Sequence, residues 1–193
     1  MNRSMESYKS FINNKRVVAG NSGIAIDVKD VHPHLFPFQR DIVKWACAKG
    51  KAAVFANTGL GKTFIQLEWA RLIGQNAIII APLSVARQTV REATKIGIEV
   101  RYVRDQSQVT PDHKMWITNY EMLSHFDADQ FGAVVLDESS ILKAMDGTTR
   151  KTLTDMFANT PFRLACTATP APNDRTEIGN HSEFLGIART VDM

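Results

Sequence analysis

Two cysteines in 193 residues, Cys47 and Cys166, are too few and too far apart to frame a disulfide-held fold. They lack metal-ligand spacing, and His32 and His34 on either side of Pro33 have no Cys or helical His partner, so no zinc site is expected. Both thiols read as small apolar packing groups in a reducing compartment. No stretch approaches the roughly 20 apolar residues that span a bilayer, and the amino terminus has no continuous apolar segment. The expectation is a soluble cytoplasmic protein, of a bacterial or phage-infected cell, with no membrane partner. Lys and Arg nowhere gather into a basic tail: 23 basic against 20 acidic residues leave a formal charge of +3, which alone identifies no polyanion. Only 11 Gly and 7 Pro, with 44% hydrophobic and 22% charged residues, exclude a low-complexity chain and indicate an ordinary globular one.

The length suits one domain with a substantial core, and a second full domain does not fit. Residues Met1 to about His34 read as an accessory segment, polar, with turn signals at Asn13-Asn14 and Asn21-Ser22-Gly23. It carries a helical pattern near Tyr8 and Phe11 and a short apolar run around Ile24. From Leu35 to the end, short apolar runs alternate with amphipathic stretches, the signature of successive βαβ units in an α/β fold. The strand candidates are Ala52–Ala56, Ala77–Ala81, Ile98–Val103, Met115–Thr118, Ala133–Leu136 and Phe162–Thr167. Several are apolar throughout, as strands buried on both faces of a parallel sheet are. Ile65, Trp69, Leu72 and Ile73 recur at helical spacing before Gly74, predicting a helix over Lys62–Ile73. A second helix is predicted from Val85 to Ile96, with Ser84 as its N-cap and Gly97 as terminator.

Between the first strand and the first of these helices lies Ala56-Asn57-Thr58-Gly59-Leu60-Gly61-Lys62-Thr63, in the context that a Walker A loop requires. Gly59 and Gly61 let the backbone curl so that amides point inward, and the helix starting at Lys62 adds its positive dipole end. Lys62 would reach the β and γ phosphates of ATP, and the Thr63 hydroxyl would ligate Mg²⁺. About 75 residues later, Ala133–Leu136 ends in Asp137 and Glu138. They stand at the carboxyl edge of the sheet, where α/β proteins place ligands. Asp137 would hold Mg²⁺, and Glu138 would orient and deprotonate the attacking water.

Asp137-Glu138-Ser139-Ser140-Ile141-Leu142-Lys143 resembles motif II of superfamily-two helicases, and the later lysine resembles the Swi/Snf branch. Ser140 stands where the DEAH form has histidine. Leu35-Phe36-Pro37-Phe38-Gln39 resembles the glutamine motif, which implies that Phe38 and Gln39 contribute to the adenine site. Ala81-Pro82-Leu83-Ser84-Val85 is similar to motif Ia and Ile117–Leu123 to motif Ib, implying nucleic-acid backbone contacts from Pro82, Ser84, Arg87, Asn119 and Tyr120. Leu164–Asn173 looks like motif III, in which the hydroxyls of Thr167 and Thr169 would couple the nucleotide site to the strand-binding face. The resemblance runs from Leu35 to about Leu185, in the order of the family's motifs, and includes phage and prophage proteins of helicase or Swi/Snf-related type. It implies a RecA-like P-loop three-layer sandwich with a mostly parallel central sheet, forming the first lobe of a DNA-dependent ATPase. It also implies a second RecA-like lobe, expected to be absent from this chain, that supplies arginine fingers for hydrolysis.

Arg87, Arg91 and Lys95 form one helical stripe, with Arg87 beside motif Ia and the other two more simply read as a solvated face. Without an aromatic ladder, any contact is expected to be to the backbone of double-stranded DNA, salt-sensitive and with little sequence preference. Two other classes are compatible with part of the pattern: a regulatory module that binds nucleotide or DNA without turnover, and a P-loop kinase. The retained Lys62 and Glu138 argue against the first. Gln39 and Thr167-Ala168-Thr169-Pro170 argue against the second.

Overall fold

Five-residue runs such as Ala77–Ala81 are too short for a stable helix and apolar at every position, so they are stable only where both faces are covered. In the computed structural model, which describes residues 20–144, 147–170 and 177–187, that is what they form. Six strands, β1 (Lys51–Phe55), β2 (Ala77–Ala81), β3 (Arg101–Tyr102), β4 (Met115–Asn119), β5 (Ala133–Asp137) and β6 (Phe162–Thr167), make one sheet in the order β1-β6-β5-β2-β4-β3. Every pairing is parallel.

Alternate side chains along each strand enter two separate cores. Ala77, Ile79 and Ala81 face one with α1 (Pro37–Lys49), α2 (Lys62–Ile73) and α3 (Leu83–Lys95). Ile78 and Ile80 face the other, which holds Leu142 of α4 (Ile141–Ala144), Leu153 of α5 (Gly147–Met156) and Phe184 of α6 (Glu177–Leu185). The result is a RecA-like three-layer α/β sandwich. No described helix is long and apolar enough to cross a membrane.

Helix α2 runs over the expected residues and stops at Gly74, which takes the left-handed φ of 69° that ends a helix cheaply in glycine. Two boundaries differ from expectation. Helix α3 begins at Leu83, and the Pro82 carbonyl accepts from the Val85 and Ala86 amides, so Ser84 lies inside the first turn and caps nothing. The strand expected over Ile98–Val103 shrinks to two residues, because β3 is the sheet edge and pairs only with β4; Ile98 and Val100 are buried without joining the ladder. The remaining strands match to within a residue at their ends.

The patterns around Tyr8 and Phe11 and at Asn13-Asn14 lie outside the described residues. The stretch from Gly20 docks firmly: the Ser22, Gly23 and Ile24 amides donate to the Lys49, Ala48 and Cys47 carbonyls at the end of α1. Gly23 is required there, since a Cβ would sit 1.9 Å from the Cys47 oxygen. Further along, the His32 amide donates to buried Glu68 Oε1 at 2.7 Å, and Arg71 ties Glu68 to the Asp30 carbonyl. Buried Arg163 on β6 has no acidic partner among the described residues; its guanidinium donates to the Thr160, Ala158 and Phe184 carbonyls. It thereby pins the end of α6 to the sheet.

Both cysteines are fully buried. Burial, with the Glu68 charge adding to it, pushes the Cys47 thiol up to about 12, and burial pushes Cys166 well above its ordinary value. Neither forms thiolate near neutrality, so Ellman's reagent at pH 8 should label neither thiol in the folded chain and both in denaturant. Rapid labelling of the native protein would contradict this packing.

Candidate functional site

The parallel register sets the site. Phe55 pairs with Thr167 and Asp137 with Cys166, so the loops after β1, β5 and β6 leave the sheet side by side at its carboxyl edge. The Ala56 amide extends the ladder one step by donating to the Thr167 carbonyl at 3.1 Å. Beyond it, Gly59 and Gly61 adopt φ of 83° and 74°, the left-handed conformation that lets the chain curl. A Cβ at Gly61 would also meet Gln39 Nε2 at 2.3 Å, so glycine is needed there twice over. Gly61 is the N-cap of α2 and offers no side chain to the helix's first-turn amides, which stay open toward the loop. Lys62 folds back, its Nζ donating to the Ala56 carbonyl at 3.1 Å.

Asp137 is nearly sealed from solvent at 3% exposure. Burial pushes its carboxyl above the usual carboxylate range and the Glu138 charge adds to this, while hydrogen bonds from Gln66 and the Glu138 amide and the Lys62 charge oppose it. Gln66 Nε2 lies 2.7 Å from Asp137 Oδ1 and ties α2 directly to the acidic motif. The Gln66 Oε1 atom is buried there with no partner among the described residues. Tyr120 donates from below to the Asp137 carbonyl at 2.8 Å. Glu138 has φ 51°, a left-handed conformation that costs a non-glycine residue energy and that clusters at functional sites. Its neighbour Ser139 is fixed by its amide, which donates to the Cys166 carbonyl at 2.8 Å.

The geometry brings Thr58, Gly59, Leu60, Gly61, Lys62, Thr63, Asp137 and Glu138 to one edge. Thr167 is buried there, and its Oγ1 accepts from the Thr169 amide at 3.1 Å. Gln39 lies between Phe36 and the phosphate loop. At 4% exposure its Oε1 accepts from the Phe36 amide and its Nε2 donates to the Leu60 carbonyl, so it braces the phosphate loop from within. The groups left facing outward are the stacked Phe36 and Phe38 rings, 6.2 Å apart and 8° from parallel, and Leu60.

The family model for DEAD/DEAH box helicases matches residues 36–178. The chain belongs to this family. As a DEAD/DEAH box helicase domain it carries the helicase-type ATP-binding unit of superfamily two. No curated protein matches the sequence. Among solved structures, the Sulfolobus solfataricus SWI2/SNF2 ATPase core in complex with dsDNA is similar with a TM-score of 0.72 at 20% identity, covering 86% of this chain and 38% of that one. The UvsW helicase from bacteriophage T4 follows with 0.63 and 14%, covering 80% and 58%, and the Pyrococcus furiosus Hef helicase domain with 0.60 and 15%, covering 86% and 39%. At these identities the likeness establishes the fold, and the chain spans well under two thirds of each of these proteins.

On the helicase domain's other expected contacts, Pro82 is half-buried while Ser84 and Arg87 are exposed at the start of α3, and Arg91 and Lys95 also face solvent. Asn119 and Tyr120 are turned inward. Asn119 accepts from the Tyr102 hydroxyl at 2.7 Å and donates to Glu121, whose carboxyl is held below its usual range by that bond. Tyr120 donates to the Asp137 carbonyl, so both side chains take part in bonds within the domain. Two residues at the site escaped the sequence motifs, Gln66 and His181. Gln66 had a readable signal, being one helical turn after Lys62; His181 had none.

Replacing Gln66 with Leu leaves the Asp137 carboxylate without its side-chain donor and should lower stability by about 1–3 kcal/mol in urea unfolding. An unchanged midpoint would show that the Gln66 bond contributes nothing.

Proposed function

We propose that this domain binds ATP with Mg²⁺ between the loop Thr58–Thr63 and Asp137, as the first lobe of a DNA-dependent motor that hydrolyses ATP only with a second lobe. The observation that carries the reading is the pairing of two left-handed glycines before an uncapped helix with a buried carboxylate one hydrogen bond away. A dication beside Asp137 offsets the penalty of burying its charge, and the orphaned Gln66 Oε1 marks a polar position next to it that a hydration shell would fill. These features fit a magnesium nucleotide.

The amides from Gly59 to Thr63 bind the phosphates, and Lys62 exchanges the Ala56 carbonyl for the β and γ oxygens. Thr63 and Asp137 would hold Mg²⁺, which when bound would supply charge neutralisation at the phosphates. Glu138 orients the attacking water and accepts its proton. Phe38, with Phe36 and Leu60, offers the base an apolar surface, while Gln39 keeps the loop in shape. Thr167 and Thr169 connect the loop after β1 to the acidic motif through the shared β6 ladder.

The reading of double-stranded DNA as the partner draws on the SWI2/SNF2 core, which was solved in complex with dsDNA. Pro82, Ser84 and Arg87 are the contacts proposed here, to phosphates and without base reading. The Glu121 charge beside Asn119 disfavours a phosphate at that point. A second lobe is proposed because the chain covers only 38%, 58% and 39% of the three related structures.

Titration with ATP and Mg²⁺ should give saturable binding that Lys62→Ala weakens by at least about tenfold; no binding, or no effect of the substitution, would refute the site. In a longer protein with its second lobe and duplex DNA, turnover should rise about 10³ to 10⁵-fold over the isolated domain. Equal rates would refute the two-lobe requirement.

A further inference from the structure

Helix α6 brings His181 back to the acidic motif from 42 residues away in sequence. Its ring is 1% exposed, and its Nε2 shares a hydrogen bond with Ser139 Oγ at 3.0 Å, itself fully buried. The other side of the ring meets Phe55, the last residue of β1 before the phosphate loop, with centroids 5.2 Å apart and planes at 81°. One histidine therefore touches the residue that follows Asp137-Glu138 and the residue that precedes Ala56. A leucine would pack against Phe55 but could not make the bond to Ser139.

The strained link supplies the reason for such a brace. A left-handed Glu138 persists only if both neighbours are held. Asp137 is held by Gln66, and Ser139 by its amide on the Cys166 carbonyl and its hydroxyl on His181. The carrier helix is itself fixed: Arg163 Nη1 donates to the Phe184 carbonyl at 2.6 Å, and Phe184 and Leu185 are buried in the second core. Ser140, by contrast, reaches only the Glu138 carbonyl, at 3.4 Å.

We propose that His181 is a positioning residue that, through Ser139 and Phe55, keeps the acidic motif in register with the phosphate loop so that Asp137 meets the nucleotide's Mg²⁺. The proposal rests on the nucleotide reading above and adds a residue outside the motifs. It places the effect of His181 in the metal-dependent part of binding, since the loop amides and Lys62 do not depend on Ser139.

The test is binding of a fluorescent ATP analogue to the full chain, in EDTA and in excess Mg²⁺, with thermal unfolding measured alongside. His181→Ala should leave the affinity in EDTA within about twofold of the unaltered chain and reduce the gain from Mg²⁺ by about tenfold, the loss of one oriented contact. His181→Gln, which keeps a hydrogen-bonding group, should recover to within about threefold, and Ser139→Ala should reproduce the alanine loss. The double variant should be no worse than His181→Ala alone, because that substitution already removes the contact through which Ser139 acts. A full Mg²⁺ gain in His181→Ala, equal impairment in Ala and Gln, or additive losses would overturn the proposal. So would a fall in both affinities with a lowered unfolding midpoint, which marks a merely structural histidine. An unaltered chain that binds the analogue in neither condition would remove the nucleotide reading first and this proposal with it.

Discussion

A carboxylate buried at the end of a parallel strand is costly unless something pairs with it, and the hydrogen bond from Gln66 to Asp137 is what this domain provides. That contact joins the helix that starts at the phosphate loop to the strand that ends in the acidic motif. It is only partial compensation, since burial still raises the carboxyl above its usual range. Further bonds hold the same edge: Tyr120 donates to the Asp137 carbonyl, the Ser139 amide to the Cys166 carbonyl, and the Ala56 amide to the Thr167 carbonyl.

The sheet makes this geometry possible without long loops. Because β6 lies between β1 and β5, a single ladder carries both edges of the site, and the Ala56–Thr167 and Ser139–Cys166 backbone bonds are continuations of that ladder. Cores on both faces hold the strands, so displacement of the acidic motif relative to the phosphate loop requires breaking packed layers. The Lys62 side chain rests on the Ala56 carbonyl at this edge.

Much of this was legible in the sequence, for physical reasons that also explain the failures. Strand β2 and helix α2 were readable because a fully buried strand can be apolar at every position and because Gly74 marks a left-handed stop. The edge strand β3 was overestimated because Ile98 and Val100 are buried by loop packing, which leaves the same apolar signature as a ladder. Ser84 resembled a cap, yet the carbonyl of the preceding proline does that work. The phosphate loop and the acidic pair are contiguous, so each motif stands whole in the sequence. The bonds of Gln39 to the Leu60 carbonyl and of Tyr120 to the Asp137 carbonyl span 21 and 17 residues, which no local pattern shows. No local pattern links His181 to Ser139, because that contact exists only once α6 has docked.

The most direct test of the central claim is a crystal structure of the domain with a non-hydrolysable ATP analogue and Mg²⁺. The account predicts phosphates capped by the amides from Gly59 to Thr63, Lys62 Nζ moved from the Ala56 carbonyl onto phosphate oxygens, and the metal between Thr63 Oγ1 and Asp137. A nucleotide bound away from this edge, or bound here with Lys62 still on Ala56 and no metal near Asp137, would contradict it.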